Sequence, residues 1–254
     1  MSGHNKWSTI KHKKGKTDAA RSQLWTKVVR ELIVAAQGGS DPEFNSALRL
    51  AIQKAKACNM PKDNIERAIK RGSGEGEQVH YDQITYEGHG AGGVAIMIET
   101  LTDNRNRTVA SVRSMLSKNG GQMGEAGCVA WQFKTLGQIE VEGDDLDQDE
   151  LMMAALDAGA DDVSEDGTIY TAPAEVSNVA KKLEEAGYKI ESMEIAKVPQ
   201  NLLAVDEKTA ASILKLCSVL EDDDDVQNVY TNADISDEIM EKLGSSQLLE
   251  DAPV

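Results

Sequence analysis

Cysteine and long apolar runs are scarce in this sequence of 254 residues. The three cysteines, Cys58, Cys128 and Cys217, stand far apart, and no C-x-x-C pair occurs among them. This argues against a zinc knuckle or a disulfide framework and predicts buried thiols in a reducing compartment. No stretch approaches the roughly 18 consecutive apolar residues of a membrane span, and the N-terminus lacks the apolar core of a signal peptide. We therefore expect a cytoplasmic protein without a membrane partner.

Recognisable catalytic motifs are also lacking. The sequence has no G-x-S-x-G motif, Walker loop or Cys–His signature. Residues 88–93 satisfy G-x-G-x-x-G, but a strand pattern follows them, whereas dinucleotide binding requires a helix there. His80 and His89 have no third metal ligand at a suitable spacing. We expect no enzymatic activity, no catalytic or metal site, no cofactor and no small-molecule substrate.

Charge is distributed very unevenly along the chain, whose formal net charge is -16. Up to Arg71 there are 15 Lys and Arg against six Asp and Glu, or +9, and from Gly72 onward there are 12 against 37, or -25. A basic N-terminal region on an acidic body approaches a polyanion in one orientation, because the phosphates repel the body. This favours nucleic acid as the partner of the N-terminal region.

The first thirty residues hold eight Lys and Arg and one carboxylate. A basic, glycine-containing segment that leads into a helix suits a phosphate backbone, because each cation that meets a phosphate releases a condensed counterion. An aromatic ring in such a segment stacks on bases, which is the role we predict for Trp7. A solvated tail is the alternative. The predicted nucleic-acid-binding residues in this part are Lys6, Trp7, Lys11, His12, Lys13, Lys14, Lys16, Arg21, Lys27 and Arg30.

Two further cations, Arg105 and Arg107, stand at a predicted helix start in the run Asp103-Asn104-Arg105-Asn106-Arg107-Thr108. Two interpretations fit this motif equally well. In the first, the arginines contact phosphate. In the second, Asn or Asp caps the helix and the arginines pair with nearby carboxylates. We include both arginines among the predicted nucleic-acid-binding residues.

Helical periodicity dominates the chain up to Gly72. The three apolar stripes are Leu24, Val28, Leu32 and Ala35; Phe44, Leu48, Ile52 and Ala55; and Ile65, Ala68 and Ile69. Asp41-Pro42 predicts the start of the second helix. The outward positions carry Arg49, Lys54, Lys56, Lys62, Arg67, Lys70 and Arg71. Residues 1–78 are therefore predicted to be a basic arm followed by a three-helix domain.

Strand patterns replace helical ones after residue 79. We predict strands at 81–87, 93–101 and 128–133, the last with Val129, Trp131 and Phe133 on one buried face. Residues 137–199 give the order βαββαβ of a ferredoxin-like unit. A helix at 207–220 and a strand at 226–231 follow and are expected to return to the first sheet.

The predicted fold is α+β, with a helical N-terminal domain followed by two α/β domains. The middle domain takes residues 79–136 together with 200–243. The ferredoxin-like domain, residues 137–199, is inserted into it. Residues 244–254 lack periodicity and are predicted to be a flexible tail.

Several segments of the sequence resemble the YebC/PmpR family, and the similarity extends from Met1 to about Leu243. The segments are MSGHNKWSTIKHKK, Asp18-Ala19-Ala20-Arg21, residues 59–69 (NMPKDNIERAI), Tyr86-Glu87-Gly88 and residues 101–109 (LTDNRNRTV). This chain has His89-Gly90-Ala91-Gly92-Gly93 where the family usually has Tyr-Gly-Pro-Gly-Gly. The resemblance implies three domains, no enzymatic activity and no cofactor. It also implies transcriptional regulation, with DNA binding in some members, or translation at the ribosome in others.

Together these observations predict a non-enzymatic regulator of gene expression that binds nucleic acid, DNA or ribosomal RNA, through residues 1–71. The first hypothesis is a DNA-binding transcriptional regulator. The second is a ribosome-associated translation factor whose basic arm contacts ribosomal or transfer RNA. The third is a protein-interaction scaffold in which the acidic α/β domains bind the partner.

Overall fold

The computed structural model describes the backbone of residues 18–75, 79–143, 147–164 and 166–250, with side chains described from 21 to 243. Its helices are α1 (Asp18–Ala36), α2 (Ser46–Ala57), α3 (Lys62–Gly72), α4 (Arg105–Lys118), α5 (Gln148–Ala158), α6 (Val176–Glu185), α7 (Glu207–Glu221) and α8 (Asp237–Glu250). Its strands are β1 (Asp82–His89), β2 (Ala95–Thr102), β3 (Gln122–Met123), β4 (Phe133–Val141), β5 (Asp162–Val163), β6 (Ile169–Thr171), β7 (Ile190–Pro199), β8 (Leu203–Ala204), β9 (Val226–Thr231) and β10 (Ala233–Asp234). None of the described helices is long and apolar enough to cross a membrane.

Helices, two four-stranded antiparallel sheets and a two-stranded parallel sheet of β8 and β10 make an α+β fold, as predicted. The described chain divides into two compact units. The first unit contains residues 28–79 and 134–198, and the second contains residues 18–27, 80–133 and those from 199 onward. The domain boundaries that we infer from the sequence stay predictions. Within the predicted tail, α8 continues to Glu250.

The three helices predicted in the N-terminal region are present as α1, α2 and α3. Their predicted apolar stripes supply most of the buried side chains, including Val28 and Leu32 on α1 and Ile65 and Ala68 on α3. A glycine is required where α3 ends, because a Cβ on Gly72 would collide with the carbonyl oxygen of Ile33. These helices are therefore specified by periodicity and by the residues that end them.

The second helix begins later than predicted. Asp41-Pro42 lies in a turn before it, and the side chain of Asn45 caps the helix instead. Asn45 Oδ1 accepts a hydrogen bond from the backbone N–H of Leu48 at 3.0 Å, which satisfies one of the free amides of the first turn. Phe44 precedes the cap and is 90% exposed, so its predicted place in the apolar stripe is wrong.

The predicted ferredoxin-like order βαββαβ is confirmed, although its first strand begins at Phe133 rather than at residue 137. Its four strands stand in the order β5-β6-β4-β7, with β4 and β7 as neighbours. Bonds from Glu142 N to the Lys189 carbonyl oxygen (2.8 Å) and from Lys197 Nζ to Thr135 Oγ1 (2.8 Å) show that β4 and β7 run antiparallel. Helices α5 and α6 pack on the sheet around a core that includes Ile139, Leu151, Ile169 and Leu183.

The second unit is built on a four-stranded sheet in the order β3-β1-β2-β9. The glycine-rich run at 88–93 connects β1 to β2 as a hairpin, and a Cβ on Gly90 would overlap the Ile213 side chain of α7. Strand β9 pairs antiparallel with β2, with Val229 opposite Ile98. Residues 226–231 therefore return to the first sheet, as predicted, and α4 and α7 contribute to its core.

The strand predicted at 128–133 is wrong, because a buried carboxylate draws this segment into a loop. Glu87 on β1 accepts hydrogen bonds at 2.7–2.8 Å from the backbone N–H groups of Gly127, Val129 and Ala130. These amides are then unavailable to a β-ladder, and residues 130–132 form a 3₁₀ turn. Trp131, predicted to be buried, is 68% exposed on this turn.

The cysteines are only partly as predicted. Cys217 is buried in the core of the second unit, whereas Cys58 and Cys128 are half-buried. Cys58 follows the last residue of α2, and Cys128 lies in the loop that Glu87 holds, so neither has a complete shell of core neighbours. Burial raises the pKa of both thiols. Neither is therefore an activated thiolate.

We predict that Glu87→Gln destabilises the protein in a pH-dependent way. Burial alone would raise the pKa of Glu87, but the three backbone N–H groups outweigh it and the net pKa is lowered. A carboxylate with a lowered pKa stabilises the fold above its unfolded pKa, and this contribution disappears as the pH falls through the folded pKa. Urea unfolding at neutral pH should show a loss of about 1–3 kcal/mol.

The loss should shrink in acid, where the wild-type carboxyl is itself protonated. Glu125→Gln, an exposed position on the same loop, is the matched control and should change stability little at either pH. An equal Glu87→Gln deficit at neutral and acidic pH would contradict the proposed charge-assisted anchoring.

Candidate nucleic-acid interface

The predicted basic arm falls on residues 1–17. The predicted contacts Lys6, Trp7, Lys11, His12, Lys13, Lys14 and Lys16 therefore lie outside the described residues. The other predicted contacts are placed by the structure on two helices. Arg21, Lys27 and Arg30 are on α1, and Arg105 and Arg107 are on α4.

On α1, the predicted contacts differ in their surroundings. The Arg21 guanidinium is exposed and lies 5.9 Å from the centre of the Trp25 ring, a cation–π distance. Lys27 Nζ donates to the carbonyl oxygen of Glu221 at 2.5 Å, and Gln23 Nε2 donates to that of Asp222 at 2.5 Å. The acidic turn after α7 thus engages the first part of α1. Lys27 is held inside the second unit, whereas Arg21 faces solvent.

Some cations of the helical region are held by their own surroundings. Lys54 Nζ lies 2.6 Å from Glu31 Oε1. Arg49 donates to the carbonyl oxygens of Pro42 at 3.0 Å and Glu43 at 2.9 Å, and so braces the turn before α2. These two side chains stabilise contacts between segments of the first unit, which makes them poor candidates for a ligand contact.

A second group of cations is held less firmly by the described residues around it. Lys56, Lys62, Arg67 and Lys70 are exposed and Arg71 is half-buried. Lys62 pairs loosely with Glu66 at 3.5 Å, and an exposed pair of this kind contributes little. Among the described residues, no carboxylate forms an ion pair with Lys56, Arg67, Lys70 or Arg71. We call these five cations the α3 basic face, since four of them lie on α3.

The structure shows the second of the two interpretations of the Arg105 and Arg107 motif. Asn104 caps α4, because its Oδ1 accepts from the Arg107 backbone N–H at 3.1 Å. The Arg105 guanidinium forms two bonds of 2.6 Å to the Asp82 carboxylate. This pairing raises the pKa of Arg105 and lowers that of Asp82. A phosphate contact by these arginines stays a prediction, and the phosphate would have to compete with the carboxylates.

The exposed Arg107 belongs to a network around the buried Asp225 carboxylate, which the sequence pattern does not reveal. Its guanidinium lies 2.9 Å from Asp225 Oδ2 and 2.7 Å from Asp103 Oδ1, and the hydrogen bonds to these carboxylates raise its pKa. Asp225 is 4% exposed. Its Oδ2 also accepts from Thr102 Oγ1 at 3.1 Å and Thr108 Oγ1 at 2.7 Å. Asp225 is thereby satisfied by three side chains from β2 and α4.

The described residues contain no group of three His, Cys, Asp or Glu side chains that would hold a metal ion. His80 lies 3.4 Å from Asp82, but its side chain is 80% exposed and the pair has no third member. The candidate site is therefore the α3 basic face. Sequence periodicity already places the α3 basic face on the outside of the helix, although it does not separate these cations from Arg49 and Lys54.

We predict that Arg107→Gln destabilises the second unit more than Arg105→Gln does. The first change leaves the buried Asp225 carboxylate without its cation, which should cost about 2 kcal/mol. The second removes a partner of Asp82, whose side chain is more exposed and is solvated more readily when alone. Chemical denaturation of both variants measures the difference, and equal losses would argue against a special role of Asp225.

Comparison with known proteins places the chain in one family over nearly its whole length. Residues 5–75 match the family model described as the TACO1/YebC protein N-terminal domain. Residues 81–233 match the model of the TACO1/YebC second and third domain.

Similar proteins agree with this assignment. A probable transcriptional regulatory protein of Halothermothrix orenii is 57% identical over 250 residues, which cover 96% of this chain and 99% of the relative. Another from Geobacter sulfurreducens is 56% identical, covering 96% of this chain and all of the relative. The crystal structure of a conserved hypothetical protein from Aquifex aeolicus is 46% identical with a TM-score of 0.82, covering 91% of this chain and 97% of that one. The resemblance seen in the sequence is thus confirmed, and the chain belongs to the TACO1/YebC family.

Proposed function

We propose that this chain is a non-enzymatic regulator of gene expression that binds nucleic acid through its basic N-terminal region, residues 1–71. The observation that carries the proposal is the segregation of charge, with +9 up to Arg71 and -25 after it. On the described part of that region, four of the five cations of the α3 basic face form no ion pair with a carboxylate, and the fifth, Lys62, pairs only loosely with Glu66. Such cations bind phosphates and release counterions, which is the main source of affinity for nucleic acid.

The names of the relatives support transcription as the process. Two relatives above 50% identity, each covered over almost its full length, are named probable transcriptional regulatory proteins. We therefore propose DNA as the first target. The acidic remainder of the chain would be repelled by the same phosphates and would face away from the nucleic acid, where other proteins can reach it.

RNA is the second candidate target. The sequence of the basic arm interleaves lysines with Trp7 and Gly15. Sequence-specific proteins read RNA mainly at single-stranded or irregular sites, where bases are free to stack on aromatic side chains. A ribosome-associated translation factor would use the arm in this way, with phosphate contacts from its lysines and base stacking by Trp7.

We predict that changing Lys11, Lys13 and Lys14 together to Glu abolishes nucleic-acid binding without lowering the melting temperature. Each lysine that meets a phosphate releases a condensed counterion, and a glutamate in its place repels the phosphate instead, so binding should be lost even at low salt. Fluorescence anisotropy with labelled duplex DNA and labelled structured RNA measures the binding, and thermal unfolding measures the melting temperature.

A matched control changes three exposed lysines outside the N-terminal region, Lys134, Lys208 and Lys215, to Glu. It alters the net charge equally and should leave most of the binding intact. A fall in melting temperature of the arm variant would mean that the three lysines are structural. Equal binding losses in both triple variants would mean that binding depends on the net charge of the protein and not on the position of these lysines.

One further experiment distinguishes the three hypotheses, which are a DNA-binding regulator, a ribosome-associated factor and a protein-interaction scaffold. Wild type and a variant lacking residues 1–20 are tested against duplex DNA, ribosomes and polyglutamate over a range of salt concentrations. Preference for duplex DNA that is lost on truncation supports the transcriptional role, and preferential co-sedimentation with ribosomes that is lost on truncation supports the translational one. Ribosome binding that survives truncation points to the acidic domains as a protein-interaction scaffold. Comparable affinity for duplex DNA, ribosomes and polyglutamate would refute specific recognition of nucleic acid.

A further inference from the structure

A shallow cleft opens between α1 and α3 in the first unit. Its volume is about 150 Å³, and its lining residues are Val29, Asn64, Arg67, Ala68 and Arg71. Two of the five are cations of the α3 basic face, and Val29 and Ala68 supply the apolar part of the lining. The lining contains no acidic residue.

The two arginines of the cleft are spaced to act on one ligand group. Arg67 and Arg71 are four residues apart on α3, so their Cβ atoms stand about 5–6 Å apart on the same face of the helix. Arg67 Nη2 donates to Asn64 Oδ1 at 3.3 Å, which orients that guanidinium at the edge of the cleft. Each guanidinium offers parallel N–H donors that match two oxygens of a phosphate.

Arg67 and Arg71 form no ion pair with the carboxylates that lie near them in the described sequence. Asp63 precedes Arg67 by four residues, a spacing that often gives an ion pair on a helix. Within the part of the chain that the structure describes, neither Arg67 nor Arg71 pairs with a carboxylate, unlike Arg105 and Arg107. The helix dipole favours a cation in the last turn of α3. That accounts for the charge of Arg71 but not for its place in a cleft beside Arg67.

We propose that this cleft is a subsite for one phosphodiester group of the bound nucleic acid. Arg67 and Arg71 hold the non-bridging oxygens, and the adjoining sugar rests on Val29 and Ala68. The proposal rests on the proposed function and adds a position to it: the nucleic acid that meets the basic arm also crosses the groove between α1 and α3.

Three double variants of the full-length chain test the subsite. The first is Arg67→Gln with Arg71→Gln. The second is Arg67→Lys with Arg71→Lys, which keeps both charges but removes the planar fork of donors. The control is Lys56→Gln with Lys70→Gln, which removes two cations of the α3 basic face that do not line the cleft. Binding of labelled duplex DNA and labelled structured RNA is measured by anisotropy at low and moderate salt, with the melting temperature of each variant.

We expect the Arg→Gln pair to weaken binding about tenfold more than the Lys→Gln control does. A factor of about ten corresponds to the loss of one charge-assisted hydrogen bond to phosphate. The Arg→Lys pair should also bind more weakly than wild type although its net charge is unchanged. If the Arg→Gln pair has a lower melting temperature than wild type, its weaker binding could come from unfolding. The affinity of the Arg→Lys pair then tests the subsite.

Two results would overturn the subsite. They are equal losses for the Arg→Gln and Lys→Gln pairs, or an Arg→Lys pair that binds as wild type does. Either result leaves the proposed function standing, because binding itself persists. If wild type binds neither nucleic acid, the proposed function fails as well, so the two failures are distinguishable.

Discussion

The second unit depends on the burial of one carboxylate, that of Asp225. It stands just before β9, the strand that rejoins the sheet after the inserted unit, and its carbonyl oxygen accepts from Leu101 N at 2.8 Å. Its side chain binds Thr102, Thr108 and Arg107, which belong to the end of β2 and the start of α4. A buried carboxylate is stable only when hydrogen bonds and an opposite charge replace its water. Asp225 therefore links three elements: the end of β2, the start of α4 and the chain entering β9. A change that displaces one of them also removes hydrogen bonds from this buried carboxylate.

The cations of the N-terminal region divide by what surrounds them rather than by where they stand in the sequence. Lys54 and Lys27 are bound by a carboxylate and a carbonyl oxygen of the chain itself, so they stabilise packing. Arg67 and Arg71 have no carboxylate partner among the described residues, and their charge is available to an anion. Long-range attraction depends on all of these charges, but a specific contact depends on those whose donors are unoccupied.

The sequence predicted the periodic parts of the fold well and the loops poorly. The helices, the ferredoxin-like unit and the return of 226–231 follow from local patterns of apolar residues, which are visible without tertiary information. The errors at Phe44 and Trp131 have another origin. The error at Phe44 arose because Asn45 caps the helix, whereas Asp41 is an equally plausible cap in the sequence. The error at Trp131 arose because Glu87 binds amides that are 40 to 43 residues further along the chain. The arginine cleft was missed because periodicity gives the outward face of α3 but not its distance from Val29 on another helix.

The hydrogen bonds of Gln200 join the two places where the chain leaves and re-enters the second unit. Its backbone N–H donates to the Gln132 carbonyl oxygen at 2.7 Å, and its side chain donates to that of Trp131 at 2.8 Å. The entropy of closing a loop rises only slowly, by about 0.6 kcal/mol for each doubling of length. With its two ends held side by side in the second unit, the segment between them closes a loop whose entropic cost depends only weakly on its length. A longer or shorter segment would meet the second unit at the same two places.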